Sequence, residues 1–339
     1  MNKSAFFKLA FAATCLAYVV ILLGAYTRLS DAGLGCPDWP GCYGHVGVPK
    51  TAEDVAAANQ AFPERPVEAA KAWKEMIHRY FASTLGLFIV ALGAIAIRKR
   101  HEQGQPFKLP IFLVGLVIFQ GLLGMWTVTI KVHPTIVMSH LMGGLTTMSL
   151  LWWLSLRTGR LFINEQVKSR DFSGLKSVAL TGLVIVVLQV MLGGWTSSNY
   201  AALHCNEFPT CTGGQYLPPM NFSEGFDFIH EFDKNYEFGV MSNEARIAIH
   251  TTHRIGAVIT ALFILWLGIK ILLTPAYQPL KNIAIALLVI VVLQFLLGVS
   301  NIVFSLPLLV AVAHNGGGAL LILALVTLNH MVRSQRLTT

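Results

Sequence analysis

Four of the eleven histidines form two matched pairs, and paired histidines on membrane helices can hold a haem. His78 and His140 lie in the first half of the chain, and His253 and His314 lie at corresponding places in the second half. Each lies near the predicted outer end of a long apolar segment. Two inward-facing imidazoles on different helices of one bundle can bind a haem iron from both sides. The spacing therefore predicts one haem site in each half.

Other interpretations of these histidines are less favoured. A lone membrane histidine often bonds to headgroups or backbone, but two matched pairs indicate function. Zinc needs three or four protein ligands, and His250 with His253 offers only a local pair. We expect the two haems side by side near one face. Glycines at 143–144 and 316–318 follow His140 and His314 and would let a flat macrocycle approach the backbone.

One charged residue distinguishes the two copies. Glu75 precedes His78 by three residues, on the same helical face, and His250 takes its place in the second copy. The carboxylate could stabilise positive charge or move protons beside a reacting haem. The alternative is an acid stabilised by the helix dipole at a helix N-terminus. The difference suggests one reactive haem and one electron-transfer haem.

Arginine follows the first histidine of each pair. We expect Arg79 and Arg254 either to pair with haem propionates or to reach lipid phosphates.

The elements that position these residues are membrane helices. The chain of 339 residues is 54% hydrophobic and only 12% charged, whereas soluble domains carry about 25% charged residues. Apolar runs of about 20 residues are long enough to span a bilayer. We therefore predict an all-α polytopic membrane protein with eight transmembrane helices at about 8–27, 77–97, 110–130, 137–157, 175–196, 247–270, 281–303 and 308–330.

The chain is a tandem repeat of one four-helix unit. "FQGLLGMWTV" (119–128) returns as "LQFLLGVSNI" (293–302), and "AYTRLSDAGLGC" (25–36) aligns with "GWTSSNYAALHC" (194–205). Because each unit has an even number of helices, both copies have the same topology. We predict two four-helix halves, residues 1–160 and 175–335, related by a pseudo-two-fold axis along the membrane normal.

The distribution of charge predicts the orientation. With the N-terminus inside, the inner segments hold 15 of the 25 Lys and Arg residues but 3 of the 17 acidic residues. These segments are 1–8, 98–109, 157–176, 270–281 and 333–339. Both termini are therefore expected in the cytoplasm, with the long loops 28–76 and 197–246 outside. The net charge of +8 reflects this bias and does not indicate nucleic-acid binding.

Two cysteine pairs lie in those outer loops. Cys36 and Cys42 in "GLGCPDWPGCYG" recur as Cys205 and Cys211. The outer side of a bacterial membrane is oxidising, and no pattern of further zinc ligands accompanies either pair. We expect two intraloop disulfides, with a reversible dithiol remaining open. Cys15 is expected to be a small buried residue of the first helix.

The motifs together resemble haem A synthase. "GLGCPDWPGCYG", "EMIHRYFASTLG", "MSHLMGGL", "HTTHRIGA" and "AHNGGGALL" occur in this order, and the resemblance covers essentially the whole chain. It implies an oxidoreductase that converts the C8 methyl of haem O to a formyl group by successive hydroxylations, with water as the oxygen donor.

The resemblance also assigns roles to residues. It implies that His78 and His140 ligate the iron of the substrate haem O, with Glu75 as the catalytic carboxylate. It implies a haem B cofactor between His253 and His314, through which electrons leave to an unknown acceptor. The family's cysteine pair matches Cys36 and Cys42.

The same resemblance implies a bacterial inner membrane location, haem A supply to terminal oxidases, and haem O synthase or further copies of the chain as candidate partners. One rival is a dihaem b-type cytochrome that passes electrons from quinol and has no use for Glu75. A transporter ranks third because the predicted helices carry almost no charge at mid-membrane. The acidic stretch "EGFDFIHEFDKNYEFG" (224–239) has no assigned role beyond a partner surface or a solvated loop.

Overall fold

The computed structural model describes residues 3–162, 173–232, 234–275 and 277–333, and within these the chain consists of helices joined by loops. Eight of the described helices are long, with 22 to 31 residues, and two are short. In chain order they are α1 (Lys3–Leu29), α2 (Ala52–Ala61), α3 (Ala69–Arg98), α4 (Lys108–Thr129), α5 (Pro134–Thr158), α6 (Ser173–Ser198), α7 (Phe222–Gly225), α8 (Asn243–Leu273), α9 (Gln278–Val303) and α10 (Leu308–Arg333).

The long helices lie where the eight apolar runs predicted them, and the all-helical membrane class is confirmed. Seven of them are long and apolar enough to cross a membrane. The eighth long helix, α5, falls outside that set because His140, two glycines and several Ser and Thr residues lower its hydropathy. Half of the predicted inner segment 157–176, most of the segment 333–339 and the last two residues of the predicted half 175–335 lie outside the described residues.

The first four long helices pack as a ring. Helix α1 contacts α3 and α5, and α4 contacts the same two helices. Helices α3 and α5 therefore lie across the ring from each other, as do α1 and α4.

The last four long helices repeat this arrangement. Helix α6 contacts α8 and α10, and α9 contacts the same two helices. Helices α8 and α10 are thus the counterparts of α3 and α5, with α6 and α9 in the places of α1 and α4.

The two rings share one apolar core. Contacts of α1 with α10, of α5 with α6 and of α5 with α10 join them. Buried side chains of both halves form a single cluster that includes Leu151 of α5 and Leu325 of α10. The Trp152 indole also donates a hydrogen bond of 2.8 Å to the Thr327 hydroxyl across this seam.

Polar caps and short helices shape the two long loops that carry the cysteine pairs. Ser242 caps α8 by accepting from the Ala245 amide at 3.2 Å. Thr51 and Asp54 form a capping box that begins α2. Cys15, which we expected to be buried, is exposed on α1, because it lies on the side of that helix that faces away from the other helices.

Candidate functional site

The first histidine pair lies on helices that face each other across the first ring. His78 is on α3 and His140 is on α5, the two helices that lie across the ring from each other. Each ring rests against a glycine of a neighbouring helix. A Cβ at Gly24 of α1 would stand 3.0 Å from His78 Cε1, and one at Gly124 of α4 would stand 3.5 Å from His140 Cε1.

The second pair repeats this geometry. His253 is on α8 and His314 is on α10, again two helices that lie across their ring from each other. A Cβ at Gly193 of α6 would stand 3.1 Å from His253 Cε1, and one at Gly298 of α9 would stand 3.3 Å from His314 Cε1. Sequence reasoning did not single out these four glycines, although each follows a leucine in the recurring "LG" of the repeat.

The four histidines have the features of haem ligands. Their rings are only half-buried although they lie inside the helix bundles. The Nδ1 atoms of His78, His140 and His314 are buried without a hydrogen-bond partner. A flat macrocycle between two such rings would cover the remaining surface. Among the described residues no group of three or more His, Cys, Asp or Glu side chains could hold a metal ion, so the donor set fits a haem better than zinc.

Glu75 is buried near the N-terminal end of α3, one turn before His78. Its Oε2 accepts a hydrogen bond of 2.9 Å from the Cys36 backbone amide. Its Oε1 pairs with the Arg79 guanidinium. The carboxylate is therefore fixed between the helix and the first disulfide loop.

His250 takes the corresponding place in the second half. Its Nδ1 accepts a hydrogen bond of 3.3 Å from the Cys205 backbone amide. Both loops are thus tied to the helix by the same backbone group. A carboxylate accepts that bond in the first half and an imidazole accepts it in the second, which agrees with the predicted difference between the copies.

Both arginines bind the disulfide loops. Arg79 donates to the carbonyl oxygens of Asp38 at 3.1 Å and Gly41 at 2.6 Å. Arg254 donates to those of Thr210 and Pro209, both at 3.0 Å. These donors hold the loops over the helices, and propionate pairing stays a prediction.

The structure contains both predicted disulfides, Cys36–Cys42 and Cys205–Cys211. An acidic side chain inside each loop binds backbone amides. Asp38 accepts from Tyr43 at 2.6 Å and Gly44 at 2.7 Å. Glu207 accepts from Gly213 and Gly214, and the hydrogen bonds from the Gly214 amide and the Thr210 hydroxyl lower its pKa. The two loops are therefore rigid copies of one another.

Most of the glycines after His140 and His314 face side chains of neighbouring helices, and their role in the approach of a macrocycle stays a prediction. Gly143 packs against the Gln120 side chain, and Gly317 packs against Gln294. Gly316 faces Tyr18 and Leu22 of α1. Of this set only Gly144 has open space at its Cβ position within the described part. These glycines chiefly allow close packing of side chains from neighbouring helices.

The described residues of the acidic stretch 224–239 contact the turn between α4 and α5 of the first half. The Thr135 hydroxyl donates to the Phe228 carbonyl at 3.0 Å, and the Tyr236 amide donates to the Lys131 carbonyl at 3.2 Å. The rings of His133 and His230 stack edge-on at 5.7 Å. Burial lowers the pKa of His230. The stretch therefore contacts the chain's own first half although Phe228, Ile229 and Phe232 are exposed, and its use as a partner surface stays a prediction.

Comparison with known proteins gives one consistent family. The profile of COX15-CtaA, a cytochrome oxidase assembly protein family, matches residues 7–326. A heme A synthase of Shewanella oneidensis is 46% identical over 93% of this chain and 92% of its own length. Heme A synthases of Flavobacterium psychrophilum and Granulibacter bethesdensis are 27% and 26% identical, over 88% and 93% of this chain and 89% and 84% of their own lengths.

Proposed function

This chain belongs to the COX15-CtaA family of cytochrome oxidase assembly proteins, and we propose from this that it is a membrane oxidoreductase that converts haem O to haem A. The observation that carries the proposal is the pair of matched histidine sites with a carboxylate at only one of them. The similarity to heme A synthases over nearly the whole chain supports it. A quinol-oxidising cytochrome that leaves its haems unchanged has no support among these relatives.

The first half would hold the substrate. His78 and His140 would ligate the iron of haem O, and Glu75 would lie beside the macrocycle on the outer side. Two oxidations, each removing two electrons and two protons, would convert the methyl group to an alcohol and then to a geminal diol. Water would supply the oxygen, and loss of one water from the diol would leave the formyl group.

Glu75 would act on the charge that develops during each oxidation. A buried carboxylate can stabilise positive charge at the reacting carbon or accept a proton from the attacking water. The Cys36 amide and Arg79 hold it in place, so it needs no reorganisation as the charge appears. Arg79 also joins this carboxylate to the carbonyl oxygens of the disulfide loop.

The second half would hold a haem B between His253 and His314. When bound, that group would supply a one-electron redox centre for electrons that leave the substrate. His250 in place of Glu75 removes the negative charge there, which suits electron transfer without hydroxylation.

The membrane arrangement belongs to the same proposal. All eight long helices would span the bacterial inner membrane. This includes α5, which is the member of the first ring that lies between α1 and α4. The two rings would be related by a pseudo-two-fold axis along the membrane normal, as the matching helix contacts suggest. The 1–160 and 175–335 halves follow from the tandem repeat, and the cytoplasmic termini and outer disulfide loops follow from the distribution of Lys and Arg.

Co-expression with a haem O synthase in a host that makes no haem A tests the function. The haems are extracted with acid-acetone and separated by chromatography. We expect haem A together with some of its alcohol precursor. A variant with both His78→Ala and His140→Ala serves as the control and should accumulate haem O. Haem O alone from the unaltered chain, at normal expression, would contradict the proposal.

A further inference from the structure

Three glutamines recur beside three of the four histidines. Each lies four residues before the glycine that faces the imidazole, and therefore on the same face of its helix. The pairs are Gln120 with Gly124 on α4, Gln189 with Gly193 on α6, and Gln294 with Gly298 on α9.

Two of these glutamines, Gln189 and Gln294, form hydrogen bonds to the histidine segments. The Gln189 amide nitrogen lies 3.0 Å from His253 Nδ1 and donates to the His253 carbonyl, also at 3.0 Å. The Gln294 amide nitrogen donates to the His314 carbonyl at 2.9 Å. Each glutamine thus reaches across to the helix that carries its histidine.

A glycine makes room for each glutamine. Gly143, Gly256 and Gly317 follow the three histidines by three residues, and a Cβ at any of them would collide with Gln120, Gln189 or Gln294 respectively. Glutamine and glycine therefore form one packing unit across two helices. The unit occurs at His140, His253 and His314.

Polar atoms in these units lack partners. The Oε1 atoms of Gln189 and Gln294 are buried without a hydrogen bond, as is Nδ1 of His314. Gln120 Nε2 and His140 Nδ1 are also buried without a hydrogen-bond partner. An imidazole that ligates iron through Nε2 carries a proton on Nδ1 and needs an acceptor for it. Amide oxygen and nitrogen occupy equivalent positions, so a rotated glutamine amide can supply that acceptor.

The site of His78 has neither member of this unit. Val20 occupies the place of the glutamine on α1, and Phe81 occupies the place of the glycine on α3. The His78 ring approaches the Val20 backbone carbonyl, but its buried Nδ1 forms no hydrogen bond of ordinary geometry. This fourth histidine therefore differs from the other three at both positions.

We propose that Gln120, Gln189 and Gln294 are positioning residues that fix three axial imidazoles, and that the Val20–Phe81 pair leaves His78 as the exchangeable ligand. The inference rests on the proposed function. The resident haem of the second half would then have two ligands, His253 and His314, that are each held in position by a glutamine. The substrate haem would have one, His140, and would enter and leave by making and breaking its bond to His78.

The first experiment concerns the resident haem and does not depend on haem A formation. Gln189→Met and Gln294→Met keep side-chain length but remove the amide. In the purified full chain, we expect haem transfer to apomyoglobin to be about tenfold faster, in line with losses on removing partners of metal-bound histidines. The midpoint potential of the low-spin haem should rise. Gln278→Met, at the exposed start of α9, is the matched control.

The second experiment converts the His78 site. Val20→Gln with Phe81→Gly recreates the unit of the other three sites, and the two single variants and Val19→Gln are controls. We expect haem A to leave the double variant about tenfold more slowly than the unaltered chain. The low-spin spectrum of the first haem should also become like that of the second.

The outcomes separate this inference from the proposed function. It is overturned if Gln189→Met and Gln294→Met lose haem no faster than Gln278→Met. It is also overturned if the double variant folds and releases haem A at the unaltered rate. If the double variant fails to fold, the rates of haem loss from Gln189→Met and Gln294→Met still test the inference. A chain that binds two haems but makes no haem A would contradict the function while leaving the glutamine result readable.

Discussion

Glu75 and His250 are the clearest difference between the halves at the scale of single residues. Both accept a backbone amide of a disulfide loop, so they serve the same structural purpose. Only Glu75 adds a negative charge, which Arg79 balances. A purely structural acid would be replaceable by a neutral acceptor, whereas a catalytic one would not.

Glu75→Gln separates these two roles. The amide keeps an acceptor for the Cys36 amide but cannot stabilise positive charge or take a proton. We expect haem A formation to fall by about 100-fold or more, with both haems still bound. The measurement is haem A formed per bound haem O, alongside the low-spin spectrum. Glu68→Gln, an exposed acid just before α3, should behave like the unaltered chain. Normal haem A yield from Glu75→Gln would remove the catalytic role.

Glu224 is a second residue whose role can be tested by a single substitution. It lies outside the long apolar helices. Its carboxylate accepts hydrogen bonds from the Ser242 hydroxyl at 2.5 Å and the Ser242 amide at 2.7 Å. These bonds lower its pKa below the ordinary value of 4.5. Because the folded state favours the charged form, the stabilisation is complete above about pH 4.5 and is lost as the pH falls through the lowered pKa.

Glu224→Gln should therefore lower the unfolding temperature at neutral pH and matter less in acid. We expect a decrease of about 2 °C at pH 7. The difference from the unaltered chain should shrink as the pH drops below 4.5. Thermal unfolding in detergent from pH 7 to 3.5 measures this. Glu244→Gln in the exposed first turn of α8 is the control, and a difference independent of pH would be the contrary result.

At the scale of helix pairs, glycines allow a neighbouring helix to pack closely against each imidazole. The Gly193–His253 contact joins α6 to α8, and the Gly24–His78 contact joins α1 to α3. Gly121 of α4 has open space at its Cβ position. The two kinds of glycine therefore respond differently to the same substitution.

Gly193→Ala is expected to displace His253. The new Cβ would stand 3.1 Å from His253 Cε1, so the ring must shift, at about 1–3 kcal/mol for overpacking. We expect a lower content of the second haem and a changed low-spin spectrum. Gly121→Ala gains helix propensity without a new contact and should leave both unchanged. Equal spectra for the two variants would show that the close contact does not position the ring.

The sequence predicted the long helices correctly along their apolar middle parts. It predicted the positions of their ends less accurately. Helix α3 begins at Ala69, eight residues before the predicted start at residue 77. Its first two turns carry Lys71, Lys74 and Glu75, which conceal the helix from an apolar pattern. The short α2 was missed although its capping box is visible as Thr51 and Asp54. The histidine pairs were predictable because the repeat aligns them, whereas their glycine and glutamine partners lie on other helices.

At the scale of the whole molecule, the two four-helix rings are joined by contacts that the repeat alignment does not predict. The first copy supplies Lys131, His133 and Thr135 at the α4–α5 turn, and the second supplies the stretch 224–239. These contacts join positions about 100 residues apart and have no counterpart in the repeat alignment. That is why charge and composition alone could not assign the acidic stretch.

The Arg65–Glu237 ion pair offers a test of these contacts. Arg65 follows α2 in the first half, Glu237 precedes α8 in the second, and their side chains are 2.8 Å apart. Glu237 is only 12% exposed, so the pair should contribute more than a typical surface pair. We expect Arg65→Glu or Glu237→Arg alone to lower the free energy of unfolding by about 1 kcal/mol.

Exchanging the two charges should restore most of that loss, because the double variant recreates an attractive pair at the same place. Thermal unfolding in detergent and limited proteolysis within residues 199–242 report the two effects, global stability and attachment of the outer loop. Lys99→Glu, which breaks an exposed i,i+3 pair within one half, should leave both the stability and that proteolysis nearly unchanged, because exposed ion pairs contribute little. A double variant as unstable as the single ones would mean that packing of the aromatic residues, and not this ion pair, holds the stretch 224–239 against the first half.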